Sequence, residues 1–350
     1  GTDTFAFSVG TDAYGNVVTA APTSGATVTV DNTAPTISAV TQVVTPSNDT
    51  TPSYVFTTNE AGTITTNITE GFSTSASAAN GNNTVTFNTL GEGTYASKTV
   101  TVTDAAGNAS SLTLTTFDID TTAPTMTITA TEVSDGETSN DATIALTLTS
   151  SESTTNFDVN DITVTNGTLS SFTGSGTAYT ATFTPSAEGA TTINVVGGAF
   201  TDLAGNNNTA ATEFNWTYDS TSPTAAITYD AAAPFKNGDA AVTITATFNG
   251  PVLDSHVPTI AIAGSGIANV TSTNMTKVST TVYTYSYAIP TGDGTGTVTV
   301  GTGTDAAGNI VTSVPTSGAT FTVDNTAPTI SAVTQVVTPS NDTTPSYVFT

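Results

Sequence analysis

The chain has 350 residues and a formal charge of −25, with 28 acidic side chains against Lys98, Lys236 and Lys277 and no arginine. A surface of that sign cannot neutralise phosphates, which argues against nucleic acid and anionic membrane as partners, whereas it attracts cations. Cysteine is absent and His256 is the single histidine, which leaves no means for disulfides, thiolate metal sites or a multi-histidine zinc site.

Thr and Val are abundant and the helix formers Leu, Lys, Glu and Gln are scarce, a composition suited to strands. In chain order, the first signature is Asp-Ala-Tyr-Gly-Asn at Asp12, followed 19 residues later by Asp-Asn-Thr-Ala-Pro at Asp31. The same two signatures recur three times in the same order, at Asp104 then Asp120, Asp202 then Asp219, and Asp305 then Asp324. The linker aspartates are 89, 99 and 105 residues apart, and that spacing sets the length of a unit. Between the signatures the apolar residues alternate with Thr or Ala, as in KTVTVTD in the first complete unit, TIALTLT in the second, and AVTITATF and GTVTVGTGTD in the third. Period two predicts half-buried strands, and clusters such as GEG, NGNN and GSG mark the turns between them.

About seven short strands in 90–105 residues predict an all-β chain of tandem immunoglobulin-like antiparallel sandwiches strung end to end. Expected core residues are Tyr54, Phe56, Val100 and Val102, then Leu146, Leu148, Phe183 and Trp216, then Phe248, Tyr285 and Val300. At the end of the chain, Val323–Thr350 repeats Val30–Thr57 letter for letter, an offset of 293 residues. The expected division is therefore a C-terminal part of a preceding sandwich over 1–30, complete sandwiches over 31–119, 120–218 and 219–323, and an N-terminal part of a following one over 324–350. On this reading the chain is a segment of a longer array.

The Asp-x-Thr-x-Pro linker, the Asp-x-x-Gly-Asn turn and GTYASKTVTVTDAAGN resemble the bacterial Ig-like repeats of giant, calcium-binding surface adhesins and extracellular fibre proteins. The resemblance covers essentially the whole chain. It implies an extracellular or cell-surface location and calcium as the bound ion.

In such a sandwich the entry linker and the B–C and F–G loops meet at one pole. That places Asp31, Glu60, Asp104 and Asn108 together in the first complete unit, and Asp120, Glu152, Asp202 and Asn206 together in the second. In the third it places Asp219, Asp305 and Asn309, with Asn249 standing where the others carry Glu. Asp12 and Asp324 are the corresponding members in the partial units. Two carboxylates about 4 Å apart repel by roughly 4 kcal/mol at an effective dielectric near 20, and a hard cation with oxygen ligands reverses the sign. The same residues also serve as ordinary turn formers, and spacing alone leaves both readings open. The A–B loop acids Asp49, Asp141 and Asp239 face the next linker, where a cation could be shared. Asp158, Asn160 and Asp161 read as a solvated turn.

The expected role is structural, a stalk or fibre segment stiffened by calcium at its domain junctions. Its expected partners are neighbouring Ig-like domains of the same chain and lateral copies in a fibre. The alternative is a module that grips a glycan or a surface receptor. No catalytic constellation is expected.

Overall fold

The computed structural model describes residues 1–4, 10–17, 25, 27–331, 333–334, 343–344 and 348–349. Among these the chain is all-β apart from one short 3-10 turn at Val159–Asp161, and it forms Ig-like antiparallel sandwiches in tandem. No helix among the described residues is long and apolar enough to cross a membrane.

The first complete unit pairs Ile37–Thr41, Ser53–Thr58 and Gly81–Thr86 in one sheet. The facing sheet holds Ala109–Thr113, Thr99–Thr103, Gly62–Thr66 and Ser77–Ala78. Alternation decides which side chains face inward: Tyr54 and Phe56 are fully buried on the first sheet, Val100 and Val102 on the second. The second unit is built alike, with Met126–Ala130, Ile144–Thr154 and Gly167–Pro185 against Thr138–Ser139, Phe214–Tyr218, Gly189–Val195 and Ile162–Thr165. The third packs Ala225–Tyr229, Val242–Phe248, Val282–Tyr287 and Thr276–Lys277 on Val270–Asn274, Thr259–Ala263, Gly294–Gly301 and Thr320–Val323.

Three separate clusters of buried apolar residues result, drawn from residues 43–119, 126–216 and 225–323. Leu146, Leu148, Phe183, Trp216, Phe248 and Val300 are buried as the alternation requires. Tyr285 is only half-buried and packs at the edge of its cluster, while Tyr283 and Tyr287 on the same strand face are buried. The segment at Asp158 is a 3-10 turn closed by a capping box, with Asp158 accepting from the Asn160 amide and Asp161 accepting from the Asp158 amide. The second strand of the expected sandwich over 324–350 lies largely outside the described residues. Within them Val333–Thr334 pairs antiparallel with Val348–Phe349.

Candidate metal centre

The Asp-x-x-Gly-Asn signature is a self-closed turn. Asp104 accepts the Asn108 amide on Oδ1 at 2.9 Å, and its own amide donates to the Asn108 carbonyl at 3.0 Å. Gly107 makes this possible with φ of +95°, and Gly205 and Gly308 take +95° and +94° at the same place. The Asn side chain then reaches out of the turn. Its Nδ2 donates to the carbonyl of the linker aspartate in all three complete units: Asn108 to Asp31 at 3.1 Å, Asn206 to Asp120 at 2.9 Å, and Asn309 to Asp219 at 2.8 Å. The same nitrogens also donate to the turn aspartates Asp104, Asp202 and Asp305. These amides therefore tie the linker to the sandwich that follows it. The turn at Asp12 has the same internal bonds to Asn16.

Linker and turn carboxylates meet as a consequence. Asp31, Glu60 and Asp104 offer oxygens that all lie within 4.8 Å of one another, and so do Asp120, Glu152 and Asp202. The first set lines an open cleft of about 400 Å³ with Thr29 and Ala105. Glu152 stands at the end of a strand rather than in a loop. Burial raises its pKa, and the charges of Asp120, Asp202 and Glu92 raise it further. Asp104 moves the other way, held below the usual carboxylate range first by the Asn108 side chain. An all-oxygen donor set on irregular backbone fits a hard divalent cation such as calcium. Each linker aspartate also caps its own turn: Asp31 accepts the Thr33 amide, Asp120 that of Thr122, Asp219 that of Thr221 and Asp324 that of Thr326.

The third unit requires a correction. Asn249 does not stand where the others carry Glu. Its Oδ1 accepts the Thr224 amide at 2.8 Å, as Asn59 accepts from Thr36 and Ser151 from Thr125. The position of Glu60 and Glu152 is therefore filled by Gly250. Two carboxylates remain, Asp219 and Asp305, and no third acid joins them among the described residues. The A–B loop acids act locally: Asp49 accepts from Thr51, Asp141 from Ser139 and Asp239 from the Lys236 amide.

Two sets of junction residues escape a reading of the sequence. Glu92 accepts the hydroxyls of Thr121 and Thr122 in the exit linker, and Glu188 accepts those of Ser220 and Thr221. Asp293 accepts the Asn325 amide and the Thr326 hydroxyl. Each of these acids is held below the usual carboxylate range, chiefly by a threonine hydroxyl. The tripeptides Gly-Glu-Gly, Ala-Glu-Gly and Gly-Asp-Gly that carry them recur at one place in every unit, a signal hidden by reading them as turns alone. The linkers at Asp120 and Asp219 are thus gripped by an acid from the unit before and an amide from the unit after. The units also touch directly, the Asn48 amide donating to Ala204 and the Asn140 amide to Ala307.

Residues 120–218 match the model of the bacterial Ig-like domain family. No curated protein sequence matches the chain. Among solved structures, the Escherichia coli adhesin FdeC is 16% identical, covering 83% of this chain and 97% of that one, with a TM-score of 0.36. A bacterial ice-binding adhesin is 17% identical over 85% of this chain and 100% of its own, with a TM-score of 0.41. Titin domains A168–A170 are 10% identical over 83% and 99%, with a TM-score of 0.31. None of these three scores supports a conclusion about this chain.

Proposed function

We propose that the chain is a structural segment of an extracellular surface protein, an adhesin stalk or fibre, in which calcium at the domain junctions stiffens a thread of sandwiches. The observation that carries this reading is the convergence of linker and turn carboxylates at two junctions, on linkers already held by an amide of the following unit. The bacterial Ig-like match over 120–218 is consistent with a cell-surface setting. A cation bridging Asp31 and Asp104 would fix the linker to the sandwich below it, and the linker proline alone would not. Extracellular modules bind calcium with dissociation constants of roughly 0.1–1 mM, and at about 100 times that constant a site adds about 2.7 kcal/mol to the folded state.

Two sites are expected within residues 31–323, one each in the first and second units, and none in the third. The test is small-angle scattering with calcium and with chelator. Calcium should lengthen the particle, and Asp104→Ala should remove the part of that change due to the first junction. Superimposable profiles reduce the carboxylates to turn formers and overturn the calcium role.

A further inference from the structure

The A–B loops differ in one residue that faces the next unit. The Asp120 amide donates to the Ser47 carbonyl and the following residue, Asn48, donates to the F–G turn of the second unit. The Asp219 amide donates to the Ser139 carbonyl and Asn140 donates to the F–G turn of the third. The side chains lie over the turn glycines: a Cβ added to Gly205 would stand 3.4 Å from Asn48 Nδ2, and one added to Gly308 would stand 3.7 Å from Asn140 Nδ2. In the third unit the Asp324 amide donates to Phe235, so Phe235 takes the place of the serines and Lys236 that of the asparagines.

Lys236 is exposed and makes no ion pair among the described residues. Of the other two lysines, Lys277 pairs with Asp254 and Lys98 lies over the Tyr95 ring. Lys236 instead borders an open cleft of about 350 Å³ with Asp324, Asn325 and Thr326. Its place also sets its reach. Asn140 Nδ2 is 3.2 Å from Asn309 Oδ1, and Asn309 Nδ2 is 3.1 Å from the Asp305 carboxylate. A lysine is two bonds longer than an asparagine, about 2.5 Å, which carries an ammonium from that position past the turn amide toward the carboxylate. Because 323–350 repeats 30–57, the sandwich that opens at Asp324 is of the first-unit kind, whose acids are Asp31, Glu60 and Asp104.

We propose that the Lys236 loop is the docking partner of a first-unit F–G turn, its ammonium seated among the carboxylates that Asp31, Glu60 and Asp104 represent. A junction of this kind carries its cation in the chain, so the ammonium takes the place that the calcium reading gives to a metal at Asp31, Glu60 and Asp104, and the two compete wherever such a loop meets such a turn.

The test appends residues 58–119 after Thr350, which completes the sandwich opened at Asp324, and applies a zero-length carbodiimide coupling followed by peptide mapping. A link from Lys236 to the appended copy of Asp104 is expected in the extended chain, absent from the 350-residue chain and lost in Lys236→Gln. No such link in an extended chain whose added unit melts cooperatively overturns the proposal, as does equal linkage in the 350-residue chain. If the added unit does not fold, Asn140→Lys in the 350-residue chain decides. Coupling from position 140 to Asp305 supports the docking geometry, and its absence overturns it.

Discussion

Glu152 is the residue whose two states differ most in consequence. Its pKa is raised by burial and by the neighbouring carboxylates, so the ionised form is disfavoured in the folded state. Its contribution is therefore least unfavourable below the ordinary glutamate range and turns against folding as pH rises through that range. In chelator near neutral pH, Glu152→Gln should stabilise the second unit by about 0.5–1 kcal/mol, the scale of one partly exposed charge interaction. In calcium the same substitution removes a ligand and should destabilise it, so the two melting curves should cross the wild type in opposite directions. Asp104 has the opposite sign. Its depressed pKa contributes stability above the unfolded value of 3.8 that is lost as pH falls through the folded one. Gly107 is a purely conformational case, since a methyl group there meets nothing within 4 Å. Gly107→Ala should cost about 1 kcal/mol through φ alone, read as a lowered melting point of the first unit.

The linker is the element on which the junctions turn. Asp120–Pro124 is held by Glu92 at its hydroxyls and by Asn206 at its first carbonyl. Glu92→Gln keeps the side chain's shape and removes the charge-assisted bonds to Thr121 and Thr122. It should broaden the distance distribution between spin labels on the first and second units while leaving both melting transitions in place. Acidification should act likewise on wild type, because Glu92 must be protonated to lose its grip and its pKa lies below the ordinary range. Much of this element was legible in advance. Both signatures, their order and the meeting of Asp31 with Glu60 and Asp104 follow from repeat spacing and sandwich topology. The donor role of Asn108 and the clamp by Glu92 were not, because both residues recur in motifs that read equally well as plain turns, and recurrence does not say which partner across the junction they bond. The third unit misled for a related reason: Asn249 matches Glu60 in polarity, and only the backbone pairing with Thr224 places it opposite Asn59.

At the scale of the whole molecule, the three cores share no buried side chain, so each unit should melt on its own terms. Phe56→Ala empties a fully buried position and should cost about 3–5 kcal/mol, moving one calorimetric transition and sparing the other two. The period-two pattern foretold these cores because a half-buried strand writes its inward face directly into the sequence, as at Tyr54 and Phe56. Tyr285 departs because it lies at the edge of the sheet packing, where phase no longer implies cover. The only tryptophan, Trp216, sits in the middle unit, edge-to-face with Phe183 at 6.2 Å and with its indole nitrogen sealed from solvent. Intrinsic fluorescence excited at the indole is thus a built-in dye for the second unit. It turns an optically crowded three-unit melt into a single-unit trace, and it can read the Asp120, Glu152 and Asp202 set without any label.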